Sequence, residues 1–178
     1  MKIIATLFIL FLSTFSSEND KIRIEWSERD RLSWEDFQGY PQGAADYVAS
    51  TNSGISFSFS YSERNGKRDL TYTIKSHFYP KLSWYKPELV SEYILKHEQA
   101  HFDISELYAR ILRKKLEEAD FSKNVKEEIE IIYEENEEER RTMQNRFDEE
   151  TDHSKIPEKE YGWRKYIAKQ LEVYERWK

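Results

Sequence analysis

Residues 95–103 of the chain read LKHEQAHFD, which places a glutamate directly after the first of two histidines four residues apart. Residues four apart lie on one face of an α-helix, so His97 and His101 can both point toward one ion. Glu98 lies beside them, within reach of a water bound to that ion. Two imidazoles that bind Zn²⁺ and a carboxylate that takes a proton from water are the parts of a zinc hydrolase site. We therefore predict a zinc site on a helix here.

The residues around this motif indicate a long helix whose two histidines face inward. Apolar residues and the histidines recur at steps of four and three, at Val90, Ile94, His97, His101, Ile104, Tyr108 and Ile111. That spacing is typical of the core-facing stripe of a helix. The alternative is two core histidines with ordinary hydrogen bonds, and the glutamate between them disfavours it. We expect the helix to run from Pro87 to about Ala119.

The N-terminal residues have the composition of a secretory signal peptide. Lys2 is followed by an apolar run from Ile3 to Phe15 and then by small residues, a pattern typical of an export signal cleaved after Ser16. The run is short for a membrane span, although a retained anchor helix is the alternative. We expect residues 1–16 to be removed and residues 17–178 to form a single domain. The protein should then be secreted or periplasmic, with no stable membrane anchor after cleavage.

Composition limits the kinds of partner and ligand. The 178 residues include 28 basic and 34 acidic side chains and no cysteine. Removing Lys2 with the signal peptide leaves 27 basic residues and a net charge of 27 − 34 = −7. No basic cluster with interleaved aromatic residues is present, so a nucleic-acid partner is disfavoured. Disulfides and cysteine-ligated zinc are excluded, which leaves histidines and carboxylates as metal ligands.

Periodicity elsewhere predicts an α+β fold. Ile55 to Tyr61 and Leu70 to Ile74 alternate apolar and polar residues on either side of Asn65-Gly66, which is typical of a β-hairpin. A lone hairpin is marginally stable, so a strand at residues 21–26 is expected to join it. This small antiparallel sheet should pack on the helix that carries the motif. Two further helices are predicted at residues 124–150 and 157–177, and the acidic run 134–139 is interpreted as a solvated helix face.

A catalytic zinc site requires a third protein ligand and one open position. From His97 to the end of its helix near Asp120 the chain rises about 34 Å, at roughly 1.5 Å per residue. An antiparallel second helix regains the level of the metal near residue 145, so the segment 145–153 should return to the site. We predict His153 as the third ligand. The alternatives are His77, at the end of a strand, or a carboxylate among Asp148, Glu149 and Asp152.

Three stretches of the chain resemble the motifs of a known family. Residues 97–103, HEQAHFD, and residues 147–154, FDEETDHS, resemble the two paired motifs of the bacterial domain of unknown function 922 family. Residues 32–39, LSWEDFQG, resemble its opening segment. Phe147 and Ser154 stand where the family pattern has tyrosine and glycine. Members of the family are described as secreted zinc-dependent proteases.

The resemblance implies a zincin-like α+β domain with one Zn²⁺ bound by three histidines, His97, His101 and His153. Glu98 would be the general base, and the expected reaction is hydrolysis of an amide bond in a peptide or protein substrate. Two alternatives stay open: a zinc-stabilised interaction module without catalysis, and an amidase that acts on cell-wall amides. An open cleft beside a sheet edge would favour catalysis, because such an edge can bind an extended peptide.

Other polar residues allow less specific predictions. His77, Tyr79 and Tyr161 are candidates for stabilising an oxyanion, although tyrosines are numerous in this chain. Asp103 and Glu106 lie on the motif helix but away from the face of His101. We expect structural roles for both of them.

Overall fold

The computed structural model is an α+β fold, and it describes residues 23–42, 47–65 and 67–178. The strands are β1 (Ile24–Glu25), β2 (Ala49–Ser50), β3 (Ser53–Arg64), β4 (Lys67–Phe78) and β5 (Trp84–Tyr85). The α-helices are α1 (Glu92–Glu118), α2 (Val125–Thr151) and α3 (Pro157–Val173). The predicted signal peptide, residues 1–16, lies outside the described residues.

The predicted hairpin and its third strand are both present. Strands β3 and β4 pair antiparallel from Arg64↔Lys67 to Ser53↔Phe78. Asn65, at the turn, has a φ of 53°, the left-handed region that such a turn requires. Strand β1 pairs with β4 through Ile24↔Phe78, which gives the sheet order β1–β4–β3. The N-terminal strand therefore adds to the hairpin as expected, although it is only two residues long.

Helix α1 is buried between the sheet and the other helices. Ile55 and Ile74 of the hairpin pack with Leu112 of α1 and Ile129 of α2 in one core cluster. Ser56, Ser58 and Ser60 of β3 alternate with these apolar residues and therefore face away from the helix. Phe102, on another side of α1, packs with Leu32, Phe37 and Phe78 in a second cluster. Contacts on several sides fix the rotation of α1 and so the direction of its histidines.

The prediction that α1 begins at Pro87 is wrong. Pro87–Leu89 forms a separate 3-10 turn, and Val90 is extended, with φ −104° and ψ 162°. Ser91 then caps the helix by accepting a hydrogen bond of 3.4 Å from the backbone N–H of Ile94. The serine hydroxyl satisfies one of the free N–H groups of the first turn, and the extended Val90 separates that turn from the proline.

Two acidic side chains of α1 connect it to neighbouring elements. Asp103 accepts a 2.7 Å hydrogen bond from the indole nitrogen of Trp26. Glu106 accepts a 2.8 Å bond from Ser76 and a 3.0 Å bond from Arg110. Both residues have the structural roles expected from the sequence.

The last two helices bring the end of the chain back to α1. Helix α2 runs antiparallel to α1, and Asn136 donates to the carbonyl oxygen of Tyr108 at 3.1 Å. Helix α3 packs against α1, where the buried Arg110 donates to the carbonyl oxygen of Leu171 at 2.6 Å. The predicted third helix ends earlier than expected, because a 3-10 turn, Glu175–Trp177, follows it. Among the helices of the described residues, none has the length and apolar character needed to cross a membrane.

Candidate metal centre

The two histidines of the motif point their Nε2 atoms toward each other across one turn of α1. The Nε2 atoms of His97 and His101 lie 3.2 Å apart. Phe147 of α2 stacks on the His97 ring at a centroid distance of 4.5 Å and contacts the His101 ring at 5.1 Å. This fully buried phenyl ring limits the rotation of both imidazoles. The shared inward direction predicted from the four-residue spacing is therefore confirmed.

Asp148 of α2 completes a set of three converging ligand atoms. Its Oδ1 atom lies 3.1 Å from Nε2 of His97 and 2.9 Å from Nε2 of His101. Ligands of a tetrahedral zinc with bonds of about 2.0–2.1 Å are separated by roughly 3.3 Å. The three separations in the site are close to that value, so these side chains fit one small metal ion. Helix α2 thus runs back along α1 and brings Asp148 to the level of the motif. This agrees with the prediction that an antiparallel second helix returns the segment 145–153 to the site.

His153 lies at the edge of this group. It follows the end of α2 in a left-handed turn, where Asp152, His153 and Ser154 have φ values of 46°, 51° and 70°. Its Nδ1 atom is 3.7 Å from Oδ1 of Asp148, and its side chain is 42% exposed. The group whose ligand atoms all lie within 4.8 Å of one another contains His97, His101 and Asp148. The structure therefore brings a carboxylate, one of the alternatives, closest to the histidine pair and places His153 beside it.

The second ring nitrogen of each motif histidine is hydrogen-bonded to another helix. Nδ1 of His97 lies 2.9 Å from Oε2 of Glu160 on α3. Nδ1 of His101 contacts Oε1 of Gln144, and the amide nitrogen of Gln144 donates to the carbonyl oxygen of His101 at 2.9 Å. Neither partner was predicted from the sequence. Gln144 is four residues before Asp148 on the same helix face, a spacing that could have indicated it, whereas no sequence pattern indicates Glu160.

The charges of the site favour a proton on His97 when no metal is bound. Burial lowers the pKa of His97, but hydrogen bonds to Asp148 and Glu160 and the nearby charge of Glu98 outweigh it and raise the pKa to about 9. Burial likewise raises the pKa of Asp148, but its contacts with His101 and His97 hold that pKa well below its usual range. Both shifts reflect the same ion pairs. A metal ion that binds here must displace a proton from His97.

Glu98 is buried in the cleft that contains the two histidines. The residue is 5% exposed and belongs to the lining of a cleft that also includes both histidines and Asp148. Its Oε2 atom is buried and has no hydrogen-bond partner among the described residues. An unpaired buried carboxylate oxygen is costly in free energy, so such an atom calls for a functional explanation.

The cleft above the site has a volume of about 340 Å³. Helix α1 forms its floor, and residues 47–53 and α2 form its walls. Thr51 donates to the carbonyl oxygen of Glu98 at 3.1 Å, and Ser53 donates to that of His101 at 3.3 Å. The wall that contains strand β2 is therefore bound directly to the motif helix.

The residues proposed for an oxyanion lie elsewhere. In the described chain, the cleft lining includes none of His77, Tyr79 and Tyr161. His77 instead pairs with Ser56 at 2.8 Å. Tyr47, which the sequence analysis did not consider, lines the cleft, and its ring lies 5.1 Å from that of His153.

Comparison with known proteins identifies the family of the chain. No curated protein matches the sequence, and no solved structure does. The model of a family described as "Bacterial protein of unknown function (DUF922)" matches residues 32–154. That range is more than half of the 178 residues and includes the motif helix, Asp148 and His153, whereas Glu160 lies beyond it. The chain therefore belongs to the DUF922 family of bacterial proteins of unknown function.

Proposed function

We propose that this protein is a zinc-dependent hydrolase that cleaves amide bonds in peptides or proteins. The unpaired Oε2 atom of Glu98, next to three converging metal-ligand atoms in an open cleft, is the observation that carries the proposal. A general base must be close to the metal-bound water without being a metal ligand, and this role is supported by Glu98 lining the same cleft without belonging to the group of ligand atoms. A zincin-like arrangement of helix and cleft is part of the same proposal.

In this scheme His97 and His101 bind one Zn²⁺, and the contacts favour Asp148 as the third ligand. His153, predicted from the sequence, is the other candidate for that position. A bound zinc ion supplies Lewis acidity, which lowers the pKa of a coordinated water to about 7. The carboxylate of Glu98 accepts a proton from a water in the cleft and later donates it to the nitrogen of the leaving amine.

The shape of the site favours catalysis over a purely structural metal. A structural zinc site is closed by four protein ligands, whereas this site faces a cleft of about 340 Å³. One wall of the cleft contains the short strand β2, which pairs with β5. Extended backbone beside a metal centre suits a peptide substrate, because main-chain groups can hydrogen-bond an extended chain. A cell-wall amide that carries a peptide would fit the same chemistry.

The test compares Glu98→Gln with the wild-type protein at equal zinc content. The substitution keeps the shape of the side chain but removes the proton acceptor, so activity should fall by about 10²–10⁴-fold while zinc remains bound. A panel of peptides and peptidoglycan fragments serves as substrate. Glu92→Gln is the matched control, because Glu92 lies on the same helix with a side chain that is 79% exposed.

The outcomes separate the competing functions. Equal activity of the wild type and Glu98→Gln would refute Glu98 as the base. Zinc binding by both proteins without hydrolysis of any substrate would favour the interaction module. Cleavage of the peptidoglycan fragments alone would identify the protein as a cell-wall amidase.

We also propose that the protein is exported. The apolar run from Ile3 to Phe15 after Lys2 supports this location. Sequencing the N-terminus of protein isolated from its native host should give a start near Ser17. An intact Met1 on cytoplasmic protein would contradict export.

A further inference from the structure

Glu160 of α3 is a carboxylate that is completely buried, with 0% of its surface exposed. Its Oε2 atom lies 2.9 Å from Nδ1 of His97. Burying a charged group without partners costs several kcal/mol, roughly, so a carboxylate persists in such a place only when a specific interaction offsets the cost. The contacts of Glu160 therefore identify the interaction that offsets the cost of its burial.

Glu160 has a second, longer charged contact, an ion pair with Arg164. Its Oε1 atom has no hydrogen-bond partner in the part of the chain that the structure describes. Arg164, one turn later, places Nε 3.7 Å from Oε1, which is beyond hydrogen-bond distance. The guanidinium of Arg164 instead lies 4.8 Å from the ring centre of Tyr161 and 5.7 Å from that of Tyr93. The shortest of these contacts of the Glu160 carboxylate is therefore its hydrogen bond with His97.

We propose that Glu160 is a positioning residue for the metal site, a proposal that rests on the zinc site described above. By accepting a hydrogen bond from Nδ1–H of His97, the carboxylate fixes the tautomer in which Nε2 carries the lone pair. The same bond holds the ring so that Nε2 points toward Nε2 of His101 and Oδ1 of Asp148. It also increases the electron density that His97 donates to a metal ion.

Gln144 has the corresponding position at the second histidine. Its Oε1 atom accepts from Nδ1 of His101, while its amide nitrogen donates to the carbonyl oxygen of the same residue at 2.9 Å. His97 receives a charged acceptor from α3, and His101 receives a neutral acceptor from α2. Helix α3 lies beyond the family match at residues 32–154, so this chain completes its metal site with a residue outside the matched region.

Two variants test the role of Glu160. Glu160→Met keeps the bulk of the side chain but removes the acceptor, and zinc binding should weaken by about a hundredfold, the upper end of the effect of losing such a partner. Glu160→Gln keeps an acceptor oxygen without its charge and should weaken binding by about tenfold. Glu158→Gln, on an exposed residue of the same helix, is the matched control and should leave the affinity unchanged within about twofold.

Two measurements distinguish positioning from simple stabilisation of the fold. Competition with a zinc chelator gives the affinity, and the visible spectrum of the Co²⁺-loaded protein reports the geometry of the ligands. The spectrum should shift in Glu160→Met and stay unchanged in Glu158→Gln. If Glu160→Met does not fold, Glu160→Gln decides the question through the same two measurements.

The failure of this inference differs from the failure of the proposed function. If the wild type and both Glu160 variants bind zinc equally within about threefold and share one Co²⁺ spectrum, the positioning role is refuted and the zinc site stands. If the wild type binds neither zinc nor cobalt, the proposed function fails, and the role of Glu160 fails with it.

Discussion

The affinity of this protein for zinc should rise steeply with pH, because zinc must displace a proton from His97. The two hydrogen-bond partners of His97, Asp148 at 3.1 Å and Glu160 at 2.9 Å, outweigh the effect of burial and raise its pKa to about 9. A raised pKa means that the proton stays bound throughout the neutral range. Since a metal ligand must be unprotonated, the proton competes with the metal at every pH below about 9.

The size of the effect follows from the pKa of His97. At about pH 7, two units below a pKa of about 9, roughly 1% of His97 is unprotonated, and the apparent affinity is reduced about 100-fold. At about pH 9 the reduction is only about twofold, so the affinity should increase about 50-fold between the two values, or about 2 kcal/mol. A histidine with its ordinary pKa of about 6.5 would give a change of less than about 1.5-fold over the same range.

Competition titrations with a chelator of known pH dependence, at pH 7, 8 and 9, measure this change directly. Calorimetry in buffers of different ionisation enthalpy should also show the release of about one proton per zinc near pH 7. His77→Gln is the control, because His77 lies outside the cleft, and its removal should leave the pH dependence intact. An affinity that varies by less than about threefold, without proton release, would refute the proposed protonation of His97.

Particular contacts of the site and the core give three more expectations. Asp148→Asn should weaken zinc binding by more than about a hundredfold in the chelator assay, and His153→Gln by less than about threefold. The reverse order would make His153 the third ligand. Phe147→Ala should lower the free energy of unfolding of the metal-free protein by about 3–5 kcal/mol in urea titrations, because its ring is fully buried. A loss below about 1 kcal/mol would mean that neighbouring side chains fill the cavity. Gly39→Ala should lower the melting temperature, because its Cβ would lie 2.8 Å from the carbonyl oxygen of Ser83. An unchanged melting temperature would show that the loop can shift.

The acidic run of α2, residues 134–139, was interpreted as a solvated helix face from its composition alone. Arg141 pairs with Glu138 at 2.9 Å, and Lys115 of α1 pairs with Glu139 at 2.8 Å. These exposed or partly exposed ion pairs contribute little to stability. Glu137, by contrast, forms a pair with Arg140 in which both side chains are mostly buried, at 13% and 11% exposure. The interpretation of the run as a solvated face therefore holds for the four exposed glutamates but not for Glu137 or for Asn136, which is completely buried.

The local elements and the position of the two motif histidines follow from the amino-acid sequence alone. A four-residue spacing places His97 and His101 on one helix face because the pitch of the α-helix is fixed. Alternating residues around Asn65-Gly66 specify the hairpin for an equally local reason. The lengths of the two long helices then return residues 145–153 to the level of the motif, since the rise per residue is constant.

The side chains that surround the histidines depend instead on how the helices pack. The rotation of α2 about its own axis brings Asp148 and Gln144 toward α1, and packing of Phe147 against both imidazoles sets that rotation. The contact between Glu160 and His97 joins residues 63 positions apart through the packing of α3. No sequence period relates such residues, because helix rotation and crossing depend on side chains from several distant segments at once. For that reason the residue types of the site could be predicted from the sequence, whereas the partners of its histidines could be identified only in the folded chain.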